Sequence, residues 1–78
     1  MSTSVKHTIA KASDVWFSDR KLFVRLYDGR EIGVPLEWFP KLRDAGEAEL
    51  RNWRIIGGGI GIHWESLDED ISVEGLLK

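Results

Sequence analysis

The hydrophobic and polar positions alternate along much of this chain, and the alternation predicts strands. In Lys21-Leu22-Phe23-Val24-Arg25-Leu26-Tyr27, one face carries Leu22, Val24 and Leu26. The other carries Phe23, Arg25 and Tyr27. A period of two in a segment rich in strand formers predicts a half-buried strand. Ile32, Val34 and Leu36 repeat the pattern after Asp28-Gly29. Asp-Gly between two alternating runs predicts a hairpin with a type I′ turn, which needs positive φ at both central residues. The expected pair is 21–27 with 30–34, and Pro35 suits a strand end or an edge. An earlier strand is expected at Val5–Ala12, completing a three-stranded meander, with Ser18-Asp19-Arg20 as a polar turn. Residues 1–4 are small and polar and are expected to fray.

The period changes beyond Leu36. Trp38, Phe39 and Leu42 group at helical spacing, and Pro40 suits a first helical turn. A short helix is predicted near Glu37–Arg43. A second is predicted over Ala45–Asn52, opened by a capping box from Asp44 to Glu47. It would direct Ala45, Leu50 and Trp53 inward and Glu47, Glu49 and Arg51 to water. Two apolar runs around Gly57-Gly58-Gly59 predict a second hairpin, 53–56 with 60–64. The glycines lack the spacing of a dinucleotide fingerprint and the Gly-Lys-Ser/Thr of a P-loop. They read as a turn needing positive φ. The fold expected is α+β: one domain over 1–78, a three-stranded antiparallel meander plus a second β-hairpin packed on one or two short helices.

Composition narrows the chemistry. The chain has 78 residues, no cysteine and four tryptophans. Disulfides, Cys-ligated metals and thiol nucleophiles are excluded. The tryptophans are the natural substitute for such staples, because each large aromatic buries roughly 150–250 Å². The longest apolar and Gly stretch, Ile55–Ile62, is far short of the ~20 apolar residues of a spanning helix. No signal-peptide core is visible, so a cytoplasmic location and no membrane association are expected. Net charge is −2. That value hides an asymmetry, since Glu65, Asp68, Glu69, Asp70 and Glu74 fall within ten residues that contain no Lys or Arg. Residues 65–78 are therefore read as an acidic C-terminal segment with a short terminal helix or turn.

Three chemistries compete for these residues. Asp68, Glu69 and Asp70 form a candidate docking surface for a basic partner. The structural alternative has Asp68 or Asp70 capping a last turn, 71–77, whose apolar residues close the core. Arg20, Lys21, Arg25, Tyr27 and Arg30 lie on or near one hairpin. Strand aromatics flanked by Arg are how sheet-type binders hold single-stranded nucleic acid. His63 beside the acidic segment suggests a metal site, although the spacing is not that of a calcium loop. No serine sits in a nucleophile elbow, and a chain this short has little volume for a deep pocket. No catalytic residue and no cofactor are assigned, and no enzymatic activity is expected.

Several blocks also carry a family resemblance. They are Val34-Pro35-Leu36-Glu37-Trp38-Phe39-Pro40-Lys41-Leu42, Asn52–Gly57, Gly61-Ile62-His63-Trp64, and Leu67-Asp68-Glu69-Asp70-Ile71-Ser72-Val73-Glu74-Gly75-Leu76-Leu77. In this order they resemble the bacterial domain of unknown function family 2442, in its standalone small form. The resemblance implies an α+β fold and no established catalytic residue. Longer relatives place the domain ahead of a helix-turn-helix domain, which this sequence lacks. Small members are often encoded beside another small protein, which implies an antitoxin-like or regulatory role in a two-protein system. The function expected is a non-enzymatic interaction module whose partner is another small protein. A symmetric dimer through sheet edges is a further expectation.

Overall fold

The computed structural model describes residues 10–77. It contains two antiparallel sheets of three strands, each a meander in chain order. Strands β1 (Ala12–Ser18), β2 (Lys21–Leu26) and β3 (Glu31–Pro35) form the first. A 3-10 turn over Leu36–Trp38 and helices α1 (Pro40–Arg43) and α2 (Glu47–Arg51) connect it to the second. That sheet holds β4 (Trp53–Ile56), β5 (Gly61–Trp64) and β6 (Glu69–Ser72), followed by a 3-10 turn over Glu74–Leu77.

The 21–27 and 30–34 pairing is present, with Leu22 opposite Val34 and Val24 opposite Ile32. Among the described residues, the first strand lies later than the one expected. Most of the predicted Val5–Ala12 segment is outside the described residues, and β1 begins where that prediction ended. A register shift between Ala12 and Asp14 interrupts its alternation. Such a bulge puts two residues opposite one, so the period of two is lost where it would be read.

The two turns of this meander exchange characters. Asp19 and Arg20 both have positive φ (52° and 60°), the requirement for a two-residue type I′ hairpin, although neither is glycine. At the Asp28-Gly29 turn only Gly29 has positive φ. The connection there is longer. The Leu26 N–H donates to the Arg30 carbonyl at 2.8 Å, and the Gly29 N–H donates to the Leu26 carbonyl at 3.0 Å. The Asp28 carboxylate accepts the Arg30 N–H at 3.0 Å, fixing the loop as an Asx turn does. That bond, with the Arg30 guanidinium, holds the Asp28 carboxyl below its ordinary range.

The capping box is also displaced. Gly46 is the N-cap of α2, and its N–H donates to the Glu49 carboxylate at 3.0 Å. Asp44 instead ends α1 and pairs with Arg43 at 2.9 Å. Leu50 is half-buried against the core, as expected, while Trp53 belongs to β4.

One cluster of buried residues draws on both sheets, from Val15, Leu22, Val24 and Val34 on one side to Ile62, Trp64 and Ile71 on the other. Leu42 of α1 and Val73 are completely buried in it. Phe17 of β1 meets Trp64 of β5 edge-on, with ring centroids 6.4 Å apart. The Trp64 indole N–H donates to the Leu50 carbonyl at 3.0 Å, tying β5 to the end of α2. The tryptophans therefore do not act alike. Trp64 is 0% exposed, Trp16 and Trp53 are half-buried, and Trp38 is 59% exposed, so Trp38 is no staple.

Candidate functional site

The acidic segment does more than end the chain. Glu69-Asp70-Ile71-Ser72 pairs with β5, so the second hairpin gains a third strand. Ile71 and Val73 turn into the core, and Leu76 closes it. The core-closing part of the structural expectation is thus observed, but the capping part is not. Asp70 is in a strand, and Asp68 sits in the preceding turn with φ 51°. The Ser72 hydroxyl, not a carboxylate, accepts the Gly75 N–H at 3.3 Å in the last turn.

The register of β4, β5 and β6 builds a polar row on the outer face of the second sheet. Arg54 lies opposite His63, and His63 opposite Asp70. His63 Nδ1 contacts Asp70 Oδ1, and His63 Nε2 lies 3.1 Å from Glu65 Oε1. Arg54 donates to the same Glu65 oxygen at 3.0 Å. As an imidazolium, His63 donates from both ring nitrogens, and two carboxylates favour that form. The Asp70 hydrogen bond is the main cause that raises the His63 pKa above its ordinary value, with Glu65 adding to it and partial burial opposing it. Neither ring nitrogen then has a lone pair to give. Among the described residues, no group of three or more His, Asp or Glu is placed to hold a metal ion.

This network makes stability depend on pH. The His63 pKa is higher in the folded state, so protonation favours folding. The contribution is complete below about 6.5, the ordinary histidine value, and is lost as pH rises through the folded-state pKa. A melting temperature followed from pH 6 to pH 9 should fall across this range in the wild type and much less in His63→Gln. In an NMR titration, the His63 ring should titrate above 6.5, and Asp70→Asn should move it down. A ring that titrates at or below 6.5 means the network is not formed in solution.

The basic hairpin residues are dispersed and mostly paired. Arg20 and Lys21 lie at the β1–β2 turn, and Tyr27 and Arg30 at the opposite end of β2. Six strand residues separate these ends by ~20 Å. Arg25 pairs with Glu31 at 2.9 Å, Arg30 with Asp28 at 2.9 Å, and Arg20 with Glu37 at 3.5 Å. What that face does present is aromatic. Trp16 and Phe23 stack with centroids 5.6 Å apart, and Arg25 lies 5.1 Å from the Trp16 ring. Phe23 also covers Gly33, where a Cβ would come within 2.6 Å of its ring.

The feature that sequence reasoning missed surrounds β6. A groove of about 500 Å³ on one side is lined by Ile56, Ile60, Gly61, Asp70 and Ser72. A second, of about 340 Å³, lies between the same strand and Trp38, Phe39, Gly75 and Leu76. Ile60 is 49% exposed, and Trp38 more so. Exposed apolar side chains gathered around one strand mark an interaction surface more often than scattered ones do. Nothing in the sequence linked Trp38 to Asp68–Asp70, because their proximity depends on the tertiary fold.

Two three-stranded meanders sharing one core, with short helices between them, define a small α+β domain. The chain belongs to the family described as "Protein of unknown function (DUF2442)", which matches residues 12–78. It is similar to a protein of unknown function from Rhodospirillum rubrum, known from a crystal structure. The identity is 30%, the TM-score is 0.76, and the match covers 87% of this chain and 84% of that one. It is also similar to an uncharacterised protein from Chromobacterium violaceum solved by NMR. There the identity is 26% and the TM-score 0.73, over 86% of this chain and 63% of that one. No curated protein matches the chain. Among the described residues, no helix is long and apolar enough to cross a membrane.

Proposed function

We propose that this chain is a non-enzymatic, cytoplasmic protein-interaction module, the antitoxin-like or regulatory half of a two-protein system. Its docking side is the acidic segment around Asp68, Glu69 and Asp70. The observation that carries this reading is the exposed Trp38 beside a groove that the acidic strand itself walls. An exposed aromatic next to only partly paired charge is the composition of an interface, with the aromatic as anchor and the charges selecting the partner. The segment has some charge to spare. Lys41 approaches Glu69 only to 3.9 Å and donates to the Asp68 carbonyl, not to its carboxylate.

The tagged chain, expressed in its native host, should retain one stoichiometric protein. Reversing Asp68, Glu69 and Asp70 to Lys should release it, and so should Trp38→Ala, which removes an exposed ring and leaves the core untouched. Undiminished retention by both variants, each with a wild-type melting curve, would sink the reading.

A further inference from the structure

The way the partner attaches can be taken further, on the footing of the interaction role above. Among the described residues, strand β6 is an edge of its sheet. The Val73 N–H donates to the Ile60 carbonyl at 3.0 Å, so residue 73 points its backbone groups at β5. In an antiparallel ladder these groups alternate in direction, so residues 71 and 69 do the same. Asp70 and Ser72 therefore turn their N–H and C=O groups away from the sheet. Among the described residues, no backbone hydrogen bond from another element meets them.

The other edges are blunted or flanked. Strand β1 has its bulge, and β3 ends in Pro35. A cleft of about 240 Å³ beside β4 is lined by α2 and β1 residues, among them Leu50 and Phe17. Among the described residues, only β6 combines outward-facing backbone groups with a groove on either side of the same residues, 70–72.

We infer that β6 accepts an extended strand from a different protein, in which basic and apolar residues alternate. In strand addition, backbone hydrogen bonds supply affinity and pockets for alternate side chains supply specificity. Side chains of the added strand on the outer face meet Asp70, with Glu74 lining the same groove. Those on the other face meet Trp38, Phe39 and Leu76. The first positions call for Lys or Arg, and the second for Val, Ile or Leu. The same charges argue against a second copy of this chain, since residues 65–77 contain five acids and no Lys or Arg. Two such strands side by side would set like charges opposite each other, which is destabilising.

The test uses the full chain and an end-blocked peptide of alternating Lys and Val, nine residues long. Amide hydrogen exchange comes first. In the free protein, Asp70 and Ser72 should exchange much faster than Ile71 and Val73. Protection of Asp70 and Ser72 in a monomer would mean that the chain's own residues 1–9 occupy the edge. Protection together with dimerisation would mean a second copy does. Either result overturns the inference. With peptide, both amides should become protected at least tenfold. N-methylation of the peptide backbone on one edge should weaken binding at least tenfold, and a Glu-for-Lys peptide should not bind. If the N-methylated peptide binds equally well, or if no peptide binds, strand addition is wrong. The interaction role then stands or falls separately, on the partner retained in the native host.

Discussion

Trp64→Ala is expected to abolish cooperative folding or leave the domain barely stable at 25 °C. The side chain is completely buried, is met edge-on by Phe17, lies opposite Trp53 in register, and hydrogen-bonds Leu50. Truncating a buried aromatic costs about 3–5 kcal/mol in lost transfer energy and cavity formation. A 78-residue chain at 0.05–0.15 kcal/mol per residue has only ~4–12 kcal/mol to lose. With no disulfide to limit the unfolded chain, nothing offsets the cavity. Far-UV circular dichroism against urea measures the effect. Trp64→Phe should retain most of the packing and lose roughly 1 kcal/mol for the indole hydrogen bond, with a further cost for the smaller ring. If Trp64→Ala shifts stability by less than about 2 kcal/mol, Trp64 is not the link between the sheets.

Gly59→Ala should be the most damaging of the glycine substitutions in the β4–β5 turn. All three glycines there have positive φ, at 61°, 68° and 116°. The last lies well outside the region that L-residues visit, and a side chain there is strained by about 1–3 kcal/mol. Space is short as well. A Cβ on Gly59 would lie 2.8 Å from Lys11 Cβ and 3.3 Å from the Ala12 backbone. Overpacking adds about 1–3 kcal/mol, so the total expected is ~2–6 kcal/mol. Gly58→Ala is the internal control. It has positive φ but nothing within 4 Å of the new Cβ, so it should cost only about 1 kcal/mol. Equal losses at 58 and 59, read from urea midpoints, would show that the close approach of this turn to β1 is unimportant.

The two glycine positions also show where sequence reading stops. The need for positive φ follows from local turn chemistry, and the triple glycine announced it. The crowding of Gly59 by Lys11 and Ala12 joins residues almost fifty apart, so no local pattern records it. The strands follow the same division. Leu22, Val24 and Leu26 alternate cleanly because one face of β2 is buried along its whole length. Strand β6 was obscured because acids, which are depleted in strands, occupy half of it. Its weak alternation, with Ile71 and Val73 against Asp70 and Ser72, becomes meaningful only once β5 lies beside it. The longer Asp28-Gly29 loop and the true type I′ turn at Asp19-Arg20 were likewise set by strand register rather than by dipeptide preference.

For the candidate site, the sequence placed charge and aromatics but not their neighbours. It correctly isolated an acidic segment, yet it joined Arg20, Lys21, Arg25, Tyr27 and Arg30 into one face that the length of β2 divides. It kept His63 with the acids only as the least favoured, metal-binding reading and assigned no metal ligand, and the register makes His63 the middle of an Arg54–His63–Asp70 row with Glu65 bridging. By itself, the sequence determined the α+β class, the pairing of 21–27 with 30–34, the glycine turn and the asymmetry of charge. Each of these is encoded within a few consecutive residues, through side-chain periodicity, φ requirements and composition. Only the tertiary structure decided that Trp38 stays exposed, that β6 becomes a sheet edge, and that two grooves flank it. Those outcomes depend on which distant segments share a core, and burial of the common apolar face settles that for all segments at once.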